Sequence, residues 1–300
     1  MKVLICDPVA QSAVEGIKNI GLDVEVNDSI SVDELMDVIG EYNAIVVRSR
    51  TKVRKPLIDK AENLKVIVRG GVGLDNIDVA YAESKGISVL NTPAASSASV
   101  AELAIGYLFA LARRIPQTTA SMRAGLWEKK KFKGTEIGGK ILGVIGFGRI
   151  GQETAKRASA LGMDVIAYDP YITADDGHVL VPLDELLAKS DYITLHVPHM
   201  ESTHHIINAE SIEKMKDGVR IINCARGGVV DEQALYEAIK SGKVAGAALD
   251  VFEKEPPEGS SLFELEEVLG SPHIGASTVE GQGRVGSEIV ERLADFFKEV

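Results

Sequence analysis

The stretch Ile141-Leu142-Gly143-Val144-Ile145-Gly146-Phe147-Gly148-Arg149-Ile150-Gly151 decides the fold. Its first five residues form a short, almost wholly apolar run of the kind that becomes a strand buried on both faces. The glycines follow as G-x-G-x-x-G and open a helical pattern. The next apolar run, Asp164 to Tyr168, ends in Asp169, 18 residues after Gly151. Glycine turns of this form are common, but between a strand and a helix, with an acid at that distance, the pattern is a dinucleotide fingerprint. Gly146 permits the tight turn, Gly148 lets backbone N–H groups approach a pyrophosphate, and Gly151 allows the helix to pack closely. The phosphate charge then faces a helix N-terminus. Asp169 would accept hydrogen bonds from the ribose hydroxyls and repel a 2′-phosphate. No Arg or Lys follows it immediately, so NAD is favoured over NADP; the alternative for Asp169 is a turn residue before Pro170.

Outward from this motif, short β-branched runs alternate with amphipathic segments. They lie at Lys2–Cys6, Asp23–Val26, Asn43–Val47, Lys65–Arg69 and Ile87–Leu90, and again at Ile141–Ile145, Asp164–Tyr168, Tyr192–His196, Val219–Asn223 and Ala245–Leu249. Helical spacing between them, as in Val14, Ile17 and Ile20, connects parallel strands. The expected class is α/β with two doubly wound parallel-sheet domains, the nucleotide-binding one Rossmann-type. Ser97 to about Arg123 reads as one long helix or a pair kinked at Pro116, and Glu280–Val300 as a final helix whose partner sheet spacing does not identify.

A length of 300 residues suits two domains at roughly 150 each. The 33 basic and 44 acidic residues give a net charge of −11, which argues against nucleic acid or an anionic membrane as partner. Met1–Asp7 reaches an acid well before the ~7 apolar residues a signal peptide needs, and Ala104–Ala112 falls short of the ~18 of a membrane span. Cys6 and Cys224 are the two cysteines, with no metal-ligand spacing. A cytoplasmic, metal-free protein is expected.

Chemistry is expected where strands end. Arg226 follows the run Val219–Asn223 and precedes Gly227, Gly228 and a helix-capping Asp231. A guanidinium there grips a carboxylate or makes a surface salt bridge, and the residues alone leave both open. Of the histidines His178, His196, His199, His204, His205 and His273, the last sits in the small-residue loop Ser271–Ser277 after an apolar run. Glu255 precedes it by 18 residues, which allows a histidine general acid oriented by a carboxylate, or merely a solvated loop acid.

Taken in order, the glycine motif, Asn223-Cys224-Ala225-Arg226-Gly227-Gly228-Val229-Val230-Asp231-Glu232, Ala247-Ala248-Leu249-Asp250-Val251-Phe252-Glu253-Lys254-Glu255-Pro256-Pro257 and Pro272-His273-Ile274-Gly275-Ala276-Ser277-Thr278 resemble the D-isomer-specific 2-hydroxyacid dehydrogenases. Arg69–Asp78, Asn91–Pro93, Ile115–Met122 and Trp127–Glu136 are similar to the branch acting on D-3-phosphoglycerate. The likeness runs from about residue 2 to 298. It implies a discontinuous substrate domain, 1–92 plus 273–300, around an NAD-binding domain, 93–272. It implies Arg226, Glu255 and His273 as the catalytic set, further NAD contacts at Arg149, Ile150, Cys224 and Asp250, and substrate contacts at Arg48, Arg69, Gly70, Gly71, Val72 and Gly73. The small residues of Asn91–Ser97 depart from the Asn-Gly-Asn of many relatives. The chain ends about where the family's dehydrogenase core ends, so neither a C-terminal regulatory domain nor serine inhibition through one is expected.

The implied reaction transfers hydride from C2 of D-3-phosphoglycerate to NAD, giving 3-phosphohydroxypyruvate, the first step of phosphorylated serine biosynthesis, in a homodimer or homotetramer. Arg48, Arg50 and the Lys129–Lys133 run favour a phosphorylated substrate. The rivals are a glyoxylate/hydroxypyruvate reductase with the same triad and an NAD-sensing corepressor on the same scaffold.

Overall fold

The computed structural model of the chain describes residues 1–172, 177 and 179–298; His178 and the last two residues of the expected final helix lie outside them. It contains two units, one made of Met1–Ser96 and the segment from Ala276 onward, the other of Ser97–Gly275. The division thus falls a few residues beyond the expected boundaries at 92/93 and 272/273. Ala95 is buried in the first unit's core, and its carbonyl accepts a hydrogen bond from Arg284 Nε at 2.9 Å. At the other boundary the buried Asp250 carboxylate holds the amides of Ile274 and Gly275, each at 2.8 Å. His273 therefore belongs to the second unit and not, as expected, with the first.

The first unit runs β1 (Lys2–Ile5), α1 (Gln11–Asn19), β2 (Asp23–Val26), α2 (Val32–Val38), β3 (Ala44–Val47), α3 (Lys55–Ile58), β4 (Val66–Arg69), α4 (Val79–Ser84) and β5 (Ser88–Asn91). Its sheet is parallel in the order β2-β1-β3-β4-β5. The central strand β3 is buried throughout, which is why its sequence, Ala44-Ile45-Val46-Val47, shows no alternation. Strand order reverses between β1 and β3, the crevice where ligands of such sheets bind. Asp7 and Arg48 lie just beyond those two strands.

The second unit begins with α5 (Ser97–Arg113) and α6 (Ile115–Arg123), so of the two readings, one long helix or a kinked pair, the pair is the one that forms. The break falls at Arg114, with φ +52°. Pro116 has no N–H to offer the Ala112 carbonyl, which instead accepts from the Thr135 amide at 2.9 Å. There follow β6 (Ile141–Ile145), α7 (Arg149–Ala160), β7 (Asp164–Tyr168), β8 (Val179–Leu180), α8 (Leu183–Lys189), β9 (Tyr192–Leu195), α9 (Ala209–Glu213), β10 (Val219–Asn223), α10 (Glu232–Ser241), β11 (Val244–Leu249) and β12 (Val268–Gly270). They form a parallel sheet in the order β12-β11-β10-β9-β6-β7-β8, reversing between β6 and β9. Both sheets are doubly wound, as the alternating pattern predicts.

The last helix, α11 (Val279–Lys298), returns to the first unit. Its buried Val285, Ile289 and Leu293 join Val3 and Ile5 of β1, Val14 and Ile17 of α1, and Val66 and Val68 of β4 in one core. No described helix is long and apolar enough to cross a membrane.

Candidate active site

The carboxyl ends of the second sheet gather the residues expected to meet the cofactor. Gly146 closes β6 at φ +91°, and a Cβ there would stand 2.7 Å from the His196 carbonyl. A Cβ on Gly151 would meet the Gly146 carbonyl oxygen at 2.1 Å, so α7 packs against the turn only because this residue is glycine. Gly148 is the N-cap of α7 and has nothing within 4 Å of its Cβ position. Gly148 and Arg149 are exposed and Ile150 is partly buried. The helix N-terminus thus opens onto free space behind bare backbone, a cradle that fits a pyrophosphate.

Asp169 takes the turn role and adds a tie to the glycine loop. Its Oδ1 accepts from the Tyr171 amide at 2.9 Å, closing a turn, while Oδ2 accepts from the Phe147 amide at 2.8 Å and so ties the glycine loop to the end of β7. Each oxygen retains a lone pair for a ribose hydroxyl. Asp169→Asn keeps an acceptor for the loop and removes the charge. It should raise the ratio of NADP to NAD efficiency by about 10-fold, the worth of one charge-assisted contact. Steady-state kinetics with each cofactor check this, and an unchanged ratio would reduce the acid to a structural tie.

Cys224 and Asp250 directly follow β10 and β11, and both are buried. Burial pushes the Cys224 thiol up, with the Asp250 charge adding to the rise, so it stays a neutral thiol. The Asp250 carboxylate, besides the Ile274 and Gly275 amides, accepts from Ser271 Oγ, and the Asp250 carbonyl accepts from the His273 amide at 2.9 Å. The Asp250 carboxylate, which the resemblance implies as a cofactor contact, is the strut of the loop bearing His273.

His273 Nδ1 lies 2.8 Å from Glu255 Oε2. The carboxylate requires the proton on Nδ1 and leaves Nε2 as the nitrogen able to take another. Burial tends to raise the Glu255 carboxyl, but the His273 hydrogen bond and charge, the Phe252 amide and the Arg226 charge outweigh it and hold it below its ordinary range. Glu255 therefore remains ionised through neutral pH and well into the acid range. Arg226 follows β10 in a loop pinned by Asn223, whose Nδ2 donates to the Arg226 carbonyl at 3.0 Å and whose Oδ1 accepts from the Ala225 amide at 3.0 Å. The three residues separated in sequence are thus neighbours on one sheet edge.

The other histidines behave differently. His196 ends β9 with Nε2 3.0 Å from Thr194 Oγ1 and Nδ1 enclosed, and burial alone depresses its pKa to about 3. It is neutral at physiological pH and is no rival acid. Below roughly pH 6.5 the unfolded chain protonates this ring and the native state does not, so the unfolded state binds more protons and stability falls as pH falls. His196→Gln keeps a partner for Thr194. Denaturant titrations at pH 7.5 and 5 should find it losing about 2 kcal/mol less than the parent. Equal acid sensitivity would contradict the burial.

In the first unit Arg48 follows β3 and Arg69 ends β4. Burial lowers the Arg48 pKa, partly offset by Asp7, and its Nη1 makes only a long 3.5 Å contact to the Pro8 carbonyl. Gly70 and Gly71 are buried and Val72 and Gly73 partly so; the Arg69 guanidinium lies across Gly71, where Nη1 would stand 1.5 Å from a Cβ. Arg50 corrects an expectation. Its guanidinium is bound to Asp7 at 2.9 Å and to the carbonyls of Ile30, Asp28 and Cys6, so it is a strut rather than a phosphate ligand. Asp7, overlooked in the sequence, also accepts from Thr51 Oγ1 at 2.8 Å and fixes the loop after β3. An acid closing an apolar strand was the available signal. The Lys129–Lys133 run belongs to the second unit, between α6 and β6, with its lysines exposed.

A glycine cradle at a sheet's switch point, an acid closing the next strand and a histidine–carboxylate pair on the same edge define a dinucleotide-binding protein of the oxidoreductase kind. Residues 105–275 match the D-isomer specific 2-hydroxyacid dehydrogenase NAD binding domain. The chain is 54% identical over 304 residues to the hydroxypyruvate reductase of Thermotoga maritima, covering 100% of this chain and 98% of that one. It is 50% identical over 298 residues to the D-3-phosphoglycerate dehydrogenase of Methanocaldococcus jannaschii, 98% of this chain but 57% of that protein's length. The D-lactate dehydrogenase of Aquifex aeolicus, solved with NAD and lactic acid, matches with a TM-score of 0.85 at 34% identity, over 100% of this chain and 96% of that one. The chain belongs to the D-isomer-specific 2-hydroxyacid dehydrogenases, and its second unit carries the family's NAD-binding domain.

Proposed function

We propose that this chain is an NAD-dependent D-2-hydroxyacid dehydrogenase whose catalytic residues are Arg226, Glu255 and His273. The observation that carries the reading is the 2.8 Å His273–Glu255 pair beside the Arg226 loop. Arg226 holds the substrate carboxylate through charge-assisted hydrogen bonds and so fixes the orientation of C2. His273 Nε2 takes the C2 hydroxyl proton, and Glu255, by accepting from Nδ1–H, stabilises the imidazolium that results. In the reverse direction the same nitrogen returns the proton to the carbonyl oxygen. The chemistry that bound NAD would supply is acceptance or return of the C2 hydrogen with its electron pair. The glycine cradle, with Arg149, Ile150 and Asp169, receives the cofactor's phosphates and adenosine ribose; Cys224 and Asp250 line the same edge.

The finer reading is oxidation of D-3-phosphoglycerate to 3-phosphohydroxypyruvate, the entry to phosphorylated serine biosynthesis, with the first unit as substrate domain. Arg48, half-buried and thinly partnered, and Arg69 with the Gly70–Gly73 turn supply the phosphate and carboxylate contacts. A second reading, hydroxypyruvate reduction, is favoured by the identity to the Thermotoga maritima enzyme over nearly its full length. The reading includes self-association into a homodimer or homotetramer; exposed Ile115, Met122, Leu126 and Trp127 on α6 and its exit offer apolar surface for such contact.

Absorbance at 340 nm with NAD separates the two substrates. For the phosphorylated reading, kcat/KM for D-3-phosphoglycerate should exceed that for D-glycerate by at least about 10-fold, and Arg48→Ala should shrink that preference while sparing D-glycerate. Added salt should erode it as well. Equal efficiencies would defeat the phosphoglycerate reading and promote the reductase.

A further inference from the structure

The loop that carries Arg226 and the loop that carries Glu255 are interlocked by groups to which the reaction assigns no part. Glu232, first residue of α10, accepts through Oε1 from the Glu253 amide at 2.7 Å. The Glu232 amide in turn donates to Glu253 Oε1 at 3.3 Å, so each glutamate binds the other's main chain. His205 Nε2 stands 3.0 Å from that same Glu253 oxygen, while the His205 amide donates to the Gly228 carbonyl at 2.8 Å. His205 thereby touches both loops. Gly227 completes the contact: a Cβ there would lie 1.8 Å from the Phe252 carbonyl oxygen, so the two backbones touch with no side chain between them.

Glu255 is two residues beyond Glu253, and Arg226 is the residue before Gly227. A displacement of either loop would move one catalytic group against the other, and misplacement on the scale of an ångström is costly in an oriented site. We propose that Glu232 is a positioning residue that, through its reciprocal clasp with Glu253, sets Glu255 against His273 and Arg226. This rests on the catalytic reading above. Burial raises the Glu232 carboxyl, the Glu253 charge adding to the rise and the Glu253 amide opposing it. What the clasp needs from this side chain is an acceptor oxygen, which Gln retains.

The test is steady-state kinetics of the purified full chain with NAD and D-3-phosphoglycerate or D-glycerate, whichever the parent turns over faster. Glu232→Ala should lower kcat by about 10-fold with KM for NAD within twofold, while Glu232→Gln stays near the parent. The double variant Glu232→Ala/Glu255→Gln should be no slower than Glu255→Gln alone, because the clasp acts through Glu255; a merely structural role would multiply the two losses. Glu253→Ala, at an exposed position, removes the carboxylate half of the clasp while keeping the amide that Glu232 accepts from, and should give a smaller loss, about threefold, which keeps the proposal testable if Glu232→Ala does not fold. A parent-like kcat in Glu253→Ala and Glu232→Ala, or multiplicative losses, would overturn the proposal while a slow Glu255→Gln left the catalytic reading standing. A fast Glu255→Gln would remove both.

Discussion

His273→Asn is expected to lower kcat by about 10²-fold or more while leaving NAD affinity nearly intact, since proton transfer of this kind contributes ~10²- to 10⁴-fold. Asn cannot take a proton at the position of Nε2. The loop itself should survive, because its amides are held by Asp250 rather than by the imidazole. Backbone conformation favours the choice too: His273 has φ +54°, a region Asn tolerates better than most residues. Stopped-flow or steady-state assays, paired with fluorescence titration of NADH, measure the two quantities separately. A near-parent kcat would sink the assignment, and His196, neutral at physiological pH, would not replace it.

Arg226→Gln should cost productive binding of the hydroxy acid. A charge-assisted pair to a carboxylate is worth roughly 1.5–3 kcal/mol, so kcat/KM should fall about 10- to 150-fold. NAD affinity should hold, because Asn223 positions the loop through two bonds to main-chain atoms, whereas the guanidinium adds to its path the bond from Nη1 to the adjacent Ala225 carbonyl at 2.6 Å. Equal losses for cofactor and substrate, or a collapse of the thermal midpoint, would instead make Arg226 a structural salt-bridge residue. The side chain also bears on Glu255 electrostatically. Its loss should therefore let the Glu255 carboxyl rise toward its ordinary value, and the acid limb of activity should move up in pH; an unmoved limb would mean the two groups do not communicate.

What the sequence by itself determined is local. A strand buried on both faces must be apolar at every position, so Ala44–Val47 and Ile141–Ile145 declare themselves without any partner being known. The G-x-G-x-x-G turn is equally self-contained, because a positive φ at Gly146 and a backbone contact at Gly151 are demands on residue type at fixed spacing. Pro116 announced a break in the helix for the same reason, although the freed Ala112 carbonyl, bonded to Thr135, was needed to place it at Arg114. Tertiary structure decided everything that depends on which side chain finds which partner across the chain. Nothing in the spacing of α11 chooses between two sheets; burial of Val285, Ile289 and Leu293 on the first one does. Arg48 and Arg50 look equivalent in the sequence, yet Asp7 and three carbonyls consume only the second guanidinium. That Asp250 braces the His273 loop shows only once Ile274 and Gly275 are brought to its carboxylate. The Glu232–Glu253 clasp had no signature, for a hydrogen bond between two loops leaves no periodicity behind. Backbone conformation is charged to each residue where it stands, whereas the value of a polar side chain is set by donors and acceptors that folding brings from elsewhere.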